Sequence, residues 1–230
     1  SLSIKKRKQK EKSPSAVFIH KYSPSFPDKN PFRLLIMIIL YRLYQLLIAA
    51  PLVILSTIIT CTTIIIGCTI GKANVWSYYP PMVWGRFLCW IMLLPVKVEG
   101  RELLDDKQSY VFVANHQGSY DIFLIYGFLG RSFRWMMKKS LRKTPLIGKT
   151  CESAGHIFVD KSGPKAIKKT YEQARAVLKN GVSLAVFPEG ARTFDGRMTK
   201  FRRGAFQLAD QLQLPIVPIT LNGPFDVLSR

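Results

Sequence analysis

The stretch YVFVANHQGSYDIFLIYGF, Tyr110 to Phe128, decides the fold class of this chain. Residues 109–114 are predicted to form a buried strand, and residues 120–129 a helix with an apolar face. The turn between them is polar or small throughout, although it lies in a segment built for burial. A strand that passes through such a turn into a helix is the repeating unit of α/β domains.

The same alternation of short β-rich runs and helical runs continues from residue 96 onward. The predicted strands are 96–99, 109–114, 133–137, 156–159, 183–187 and 215–220. The predicted helices are 120–129, 139–153, 164–179 and 203–212. This pattern indicates an α/β fold with a mainly parallel or mixed sheet flanked by helices. We assign this α/β domain to residues 96–230.

The composition is both apolar and strongly basic. The chain has 230 residues, of which 48% are hydrophobic, and 34 Lys and Arg against 14 Asp and Glu give a formal net charge of +20 at pH 7. Disordered chains are charged but poor in apolar residues, so the composition excludes that class. A folded basic protein acts against something anionic, either nucleic acid or a membrane surface.

A long apolar segment favours the membrane. Within residues 34–71 the only charged residue is Arg42. Pro51 is expected to break a helix there, because proline lacks a backbone N–H and its ring clashes with the preceding turn. We therefore predict two helices, 34–50 and 52–71, that form a membrane-embedded hairpin and return to the same side. An ordinary buried core helix is the alternative, and the length of the segment disfavours it.

The neighbouring segments complete the N-terminal organisation. Residues 1–31 carry a Lys/Arg cluster and several prolines, and we predict a basic, flexible tail there; a juxtamembrane arm on an anionic leaflet is the alternative. Residues 32–95 form the predicted membrane-associated region. Its part 75–95 is rich in Trp and Tyr, which suits either an interfacial segment or a helix packed on the domain. The basic flanks predict a domain on the cytoplasmic face.

His116 and Asp121 are the first candidate pair for chemistry. Asp121, in the first turn of the predicted helix, can accept a hydrogen bond from one imidazole nitrogen and so fix the tautomer. The other nitrogen can then take a proton from a hydroxyl group. Ser119 is expected to cap the helix. Taken alone, the pair is equally consistent with a structural histidine.

The second candidate is the stretch VFPEGARTFDG, residues 186–196. Glu189 and Gly190 follow a buried strand, and Arg192 is followed by further basic residues. A glycine-containing turn with arginines suits a phosphate group, because guanidinium binds phosphate through two parallel hydrogen bonds. Alone, this stretch is more typical of a solvated basic loop.

Other chemistries lack their signatures. The chain has no G-x-S-x-G nucleophile motif and no His/Cys/Glu cluster with metal-ligand spacing. Its four cysteines are predicted to be small buried hydrophobes. We predict no bound metal and no cofactor.

Together the two candidate stretches resemble the glycerolipid acyltransferase family, and within it the 1-acylglycerol-3-phosphate acyltransferases. That family has an HxxxxD motif, a GxIFIDR-like block, FPEGTRS and a VPI segment, in this order. The matching stretches are 116–121, GHIFVDK at 155–161, 187–193 and IVPIT at 216–220. Three positions depart from the pattern: Lys161 replaces Arg, and Ala191 and Thr193 replace Thr and Ser.

The resemblance implies transfer of a fatty acyl group from a thioester to the sn-2 hydroxyl of lysophosphatidic acid, giving phosphatidic acid. It implies that His116 is the general base, that Asp121 orients its ring, and that no covalent acyl-enzyme forms. Glu189 and Gly190 are implied to shape the loop that binds the acceptor phosphate. The implied substrate-binding residues are Lys161, Glu189, Gly190 and Arg192.

The implied partners are the lipid bilayer, lysophosphatidic acid, and acyl-CoA or acyl carrier protein as the acyl donor. Nucleic acid is not expected, because no binding signature is visible. Glycerol-3-phosphate or another lysolipid stays open as the acceptor. A non-catalytic basic membrane-binding protein is the alternative from another class, but it does not explain why the candidate residues fall at strand ends.

Overall fold

The computed structural model describes residues 16–21, 30–160 and 162–227. Within these ranges, seven strands form one sheet in the order β2-β1-β7-β3-β6-β4-β5. The strands are β1 Val17–Lys21, β2 Val96–Glu99, β3 Val111–Ala114, β4 Phe133–Lys138, β5 Ile157–Val159, β6 Ser183–Val186 and β7 Ile216–Asn222. All neighbouring pairs are parallel except β1 with β2. The predicted α/β fold with a mainly parallel, mixed sheet is confirmed.

Helices cover both faces of the sheet. They are α1 Pro31–Tyr44, α2 Ala50–Ile70, α3 Ala73–Trp76, α4 Tyr79–Ile91, α5 Tyr120–Phe128, α6 Ile147–Ser153, α7 Pro164–Val177, α8 Gly204–Leu212 and α9 Pro224–Val227. One core cluster joins the sheet to Cys89 of α4 and Ile125 of α5. The other joins it to Ala174 of α7 and Leu208 of α8. Each central strand is therefore buried on both sides, which explains its continuous apolar run.

The predicted helix 139–153 is divided into two parts. A 3₁₀ turn spans Lys139–Lys143, and α6 begins only at Ile147. Pro145 lies between them, and the residue before a proline is disfavoured in the helical conformation.

The predicted flexible tail contains an unexpected strand. Val17 and Ile19 of β1 are fully buried, and β1 lies between β2 and β7. Its sequence, VFIHK, alternates apolar and polar positions as a strand does, but it is only five residues long and lies between basic and proline-rich segments. The prediction of a tail over 1–31 is therefore wrong for residues 17–21.

The predicted break at Pro51 is also wrong. The helix runs without interruption over 40 residues from Pro31 to Ile70. A wider π-helical turn at Gln45–Ala49 directly precedes the proline, and the backbone N–H of Ala50 bonds to the carbonyl of Gln45. This wider turn accommodates the proline ring and its missing N–H, so the helix continues.

The chain reverses instead after Gly71. Helix α4 runs back along α1 and α2: Trp84 Nε1 donates to Thr57 Oγ1 (3.2 Å), and the Tyr44 hydroxyl donates to the carbonyl of Ile91 (2.7 Å). The two-helix hairpin at 34–71 is thus replaced by a longer one, which pairs the 40-residue helix with α4.

The 40-residue helix has a largely uncovered apolar surface. It is the one helix in the described part of the chain that is long and apolar enough to cross a membrane. An 18-residue stretch of it has a mean hydropathy of 2.2, and 17% of that stretch is buried. The outward-facing Trp90 and Val83 of α4 extend the apolar surface.

His156 is a buried histidine that the fold keeps neutral. Its Nδ1 accepts the backbone N–H of Trp135 (3.2 Å), and its Nε2 lies 2.9 Å from the hydroxyl oxygen of Tyr126. Burial, with a smaller contribution from Arg134, lowers the pKa of His156 to about 3.

This histidine makes stability depend on pH. Below about pH 6.5 the unfolded chain binds a proton at His156 that the folded chain does not, so the free energy of unfolding decreases as the pH falls toward 3. Between pH 7 and pH 5 we expect a loss of about 2 kcal/mol from this residue. Urea unfolding in detergent at both pH values should show a smaller loss for His156→Gln, and an equal loss in both proteins would contradict this prediction.

Candidate active site

The two candidate stretches meet because β3 and β6 are parallel neighbours in the centre of the sheet. The carboxyl ends of both strands lie at the same edge, where functional groups of open α/β sheets gather. Asn115 fixes the end of β3 there. Its Nδ2 donates to the carbonyl of Leu221 (2.9 Å), and its Oδ1 accepts the N–H of Leu221 (2.7 Å), which ties the turn to β7.

His116 and Asp121 are in direct contact. His116 Nδ1 lies 2.7 Å from Asp121 Oδ2, which also accepts the backbone N–H groups of Gln117 (2.6 Å) and Gly118 (3.0 Å). Asp121 is fully buried. A carboxylate accepts hydrogen bonds, so the hydrogen of the neutral imidazole lies on Nδ1 and Nε2 keeps its lone pair. The ring is thus in the tautomer of a general base.

The His116 ring is also held by stacking. Phe187 is nearly parallel to it, with centroids 3.9 Å apart and planes 9° apart, and Trp135 stacks on Phe187 at 5.1 Å. From the sequence alone, no role was assigned to the side chain of Phe187. Phe187 directly precedes Pro188 and Glu189. Once the two stretches are known to be adjacent, this position predicts that its ring contacts the His116 turn.

Glu189 connects the second stretch to the histidine. Its Oε1 accepts the backbone N–H of His116 (2.7 Å), and its Oε2 accepts the N–H (2.8 Å) and the hydroxyl (3.0 Å) of Thr199. Glu189 is buried. Both oxygens are engaged by the protein, so this side chain holds the loop against the His116 turn. Thr199 is a further residue that sequence reasoning missed.

Arg192 lies beside the same turn. Its Nη1 donates to Ser119 Oγ at 2.6 Å. Ser119 was expected to cap α5, but its side chain makes no capping hydrogen bond and accepts from Arg192 instead. The N–H of Thr193 also donates to the carbonyl of His116 (3.1 Å). The arginine is therefore fixed close to the base.

Gly190 allows the loop to turn. Its φ of 76° is in the left-handed region, and a Cβ there would lie 2.9 Å from Arg202 Nε. The positive φ favours glycine, whereas the Arg202 side chain could move away from a Cβ. Lys161, the remaining predicted substrate-binding residue, lies outside the described residues. Its neighbour Asp160 accepts a hydrogen bond from Lys139 Nζ (2.6 Å), which is the main reason why the pKa of Asp160 is lowered to about 2.

The arrangement combines a base with a nearby cation. His116 Nε2 can take a proton from a hydroxyl group, while the Arg192 guanidinium can bind an anionic group on the same molecule. In the described part of the chain, no group of three or more His, Cys, Asp or Glu side chains is placed to hold a metal ion.

Comparison with known proteins identifies relatives of this chain. The family model described as Acyltransferase matches residues 95–222. The 1-acyl-sn-glycerol-3-phosphate acyltransferase of Cocos nucifera is 39% identical over 155 residues, which cover 67% of this chain and 48% of that protein. The enzyme of the same name from Saccharomyces cerevisiae is 34% identical over 166 residues, 70% of this chain and 54% of that protein. The chain thus spans about half the length of the curated relatives it matches.

A solved structure shows the same fold. The crystal structure of PlsC, the 1-acyl-sn-glycerophosphate (LPA) acyltransferase from Thermotoga maritima, superposes with a TM-score of 0.57 at 21% identity. The match covers 79% of this chain and 80% of that one.

Proposed function

Because the chain belongs to the acyltransferase family, whose model spans residues 95–222, we propose that it transfers a fatty acyl group from a thioester to the sn-2 hydroxyl of lysophosphatidic acid. The product is phosphatidic acid. The observation that carries this proposal is the contact of His116 with Asp121 at a turn that also holds Arg192. The relatives' names support lysophosphatidic acid as the acceptor.

In the proposed mechanism His116 Nε2 takes the proton of the acceptor hydroxyl. The oxygen attacks the thioester carbonyl carbon, the carbon–sulfur bond breaks, and the leaving thiolate takes the proton from the imidazolium. Asp121 stabilises the imidazolium and keeps the ring oriented, as the aspartate does in Ser-His-Asp triads. The acyl group passes directly to the acceptor, so no acyl-enzyme forms. The donor is acyl-CoA or acyl carrier protein.

Arg192 is proposed to bind the phosphate of the acceptor, with Lys161 as a second cation. A guanidinium presents paired N–H donors to phosphate, so loss of Arg192 should weaken acceptor binding more than it slows the chemical step. Glu189 and Gly190 keep the loop in the shape that presents Arg192.

Arg192→Met should raise the KM for lysophosphatidic acid by about 10- to 100-fold, the effect of losing one or two charged hydrogen bonds. The KM for the acyl donor should change little. Arg175→Met, an exposed arginine of α7, is the matched control. If Arg192→Met left the acceptor KM unchanged, the proposed phosphate site would be wrong.

The helices are proposed to seat the enzyme in the bilayer with the catalytic domain on the cytoplasmic face. Lys21 at the end of β1 pairs with Val96 at the start of β2, so the helical region leaves and re-enters the sheet at adjacent points on one edge. Strand β1 and the acyltransferase domain therefore share one side of any membrane that the helices enter. The basic flanks favour the cytoplasmic side.

An acceptor panel tests the proposed function. The purified protein in detergent receives acyl-CoA with lysophosphatidic acid, glycerol-3-phosphate or monoacylglycerol, and the acylated product is identified. We expect lysophosphatidic acid to give the highest kcat/KM. A preference for glycerol-3-phosphate would replace the proposed acceptor. No turnover with any donor or acceptor, together with binding to anionic vesicles, would favour the non-catalytic membrane-binding protein.

A further inference from the structure

A second basic site lies at the opposite edge of the sheet from His116. Arg134 is the second residue of β4, near the amino end of that strand, whereas His116 follows the carboxyl end of β3. The Arg134 side chain belongs to a residue that is only 4% exposed. Nothing in the proposed mechanism uses this buried charge.

The guanidinium of Arg134 has hydrogen-bond donors to spare. Its Nη1 donates to the carbonyl of Phe133 (3.2 Å), and its Nη2 donates to Asn74 Oδ1 (2.7 Å). These bonds use two of the five N–H groups of an arginine. Throughout the described ranges, no carboxylate lies within ion-pair distance of Arg134, whereas the similarly buried Arg131 pairs with Asp106.

Arg134 borders a cleft of about 180 Å³. Asn74 of α3 lines it beside Arg134, and Lys179, Asn180 and Val182 line it from the connection between α7 and β6. The described residues of the lining include two cationic and two amide side chains, and none of them is a carboxylate. Burying a charge without an ion-pair partner is unfavourable, and a bound anion offsets that cost.

We propose that this cleft binds a phosphate group, either inorganic phosphate or the terminal phosphate of a monoester. The tetrahedral oxygens would accept the unused N–H groups of Arg134 and the ammonium of Lys179, as charge-assisted hydrogen bonds. The site is independent of the proposed function, because it lies at the other edge of the sheet. A ligand in this cleft would contact α3, which follows the long apolar helix. It would also contact β4 and the end of α7.

Binding to the folded state alone stabilises it by mass action. The thermal midpoint in detergent should therefore rise with inorganic phosphate relative to chloride at equal ionic strength. A rise of about 5–10 °C is expected at a hundredfold excess over the dissociation constant. Most of the rise should be lost in Arg134→Met, and most of it should persist in Arg192→Met, which lacks the arginine proposed to bind phosphate at the other edge.

Two further variants separate the effect of position from that of net charge. Lys179→Met changes an exposed side chain, so the protein should fold normally and show a weaker response to phosphate. Lys165→Met removes the same charge from the other end of α7 and should respond as the wild type does. The phosphate response should then follow position and not net charge.

The source of the phosphate is separated by comparing inorganic phosphate with adenosine 3′,5′-bisphosphate and glycerol-3-phosphate. If inorganic phosphate gives half of the maximal thermal shift at the lowest concentration, the ligand is the free ion. If either ester does so, the ligand is a monoester. The proposal is overturned if no ligand gives a response that depends on Arg134 or Lys179. It is also overturned if Arg134→Met unfolds more easily without phosphate while Lys179→Met responds fully, because Arg134 would then be a structural clamp for Asn74.

Discussion

His116→Ala should lower kcat/KM for acyl transfer to lysophosphatidic acid by about 10²- to 10⁴-fold, the range that a positioned general base contributes. The His116 ring is held by a 2.7 Å contact with Asp121 and by stacking on Phe187, so its Nε2 is aligned before the acceptor arrives. Removing the imidazole removes the proton acceptor and leaves the backbone hydrogen bonds of the turn in place. Initial rates with acyl-CoA, together with the thermal midpoint of each protein, measure the effect.

A second histidine, His20, provides a control for this substitution. His20→Ala changes a partly exposed residue of β1, which β7 separates from β3, and should leave acyl transfer within about twofold, as expected for a surface change. If His116→Ala folded normally and kept more than a tenth of the wild-type activity, His116 would be a structural residue. The mechanism would then need another base.

Glu189→Ala should destabilise the fold and reduce activity together. The substitution leaves three donors without their acceptor: the backbone N–H of His116 and both the N–H and the hydroxyl of Thr199. Water can replace the lost acceptor at Thr199, which is exposed, so the main cost is the unsatisfied N–H of His116. An unsatisfied buried donor costs about 1–3 kcal/mol, and we expect a loss of about that size in the free energy of unfolding. Urea unfolding and steady-state kinetics on the same preparation measure both effects.

Glu189→Gln separates a positioning role from direct contact with the substrate. The amide replaces one acceptor oxygen by an NH₂ group, which would face a donor on either side. A positioning residue therefore predicts lower stability and a lower kcat in this variant. Direct acceptor binding predicts a higher KM with unchanged stability, and that result would contradict the geometry. Glu172→Ala, at an exposed position of α7, is the matched control.

Local spacing made part of the site predictable. Asp121 follows His116 by five residues across a strand–helix turn, and such a short loop restricts where the two side chains can lie. The hydrogen bond from His116 to Glu189 joins residues 73 positions apart. It depends on the pairing of β3 with β6, which no local pattern encodes.

Two predictions for the N-terminal region were wrong for the same reason. Proline at position 51 has a strong local preference against a helix interior, but the π-helical turn before it removes the clash. Strand β1 is too short to stand out from its surroundings, and it forms only because β2 and β7 provide neighbours for it. In both places tertiary structure and backbone adjustment outweighed the local signal.

Release of free thiol from acyl-CoA, with and without lysophosphatidic acid, tests most directly whether the acceptor hydroxyl attacks the thioester without a covalent acyl-enzyme. Direct attack predicts thiol release that requires the acceptor, equals the phosphatidic acid formed, and leaves the mass of the protein unchanged. A burst of thiol without acceptor, equal to the amount of enzyme and accompanied by an acyl adduct on the protein, would contradict it.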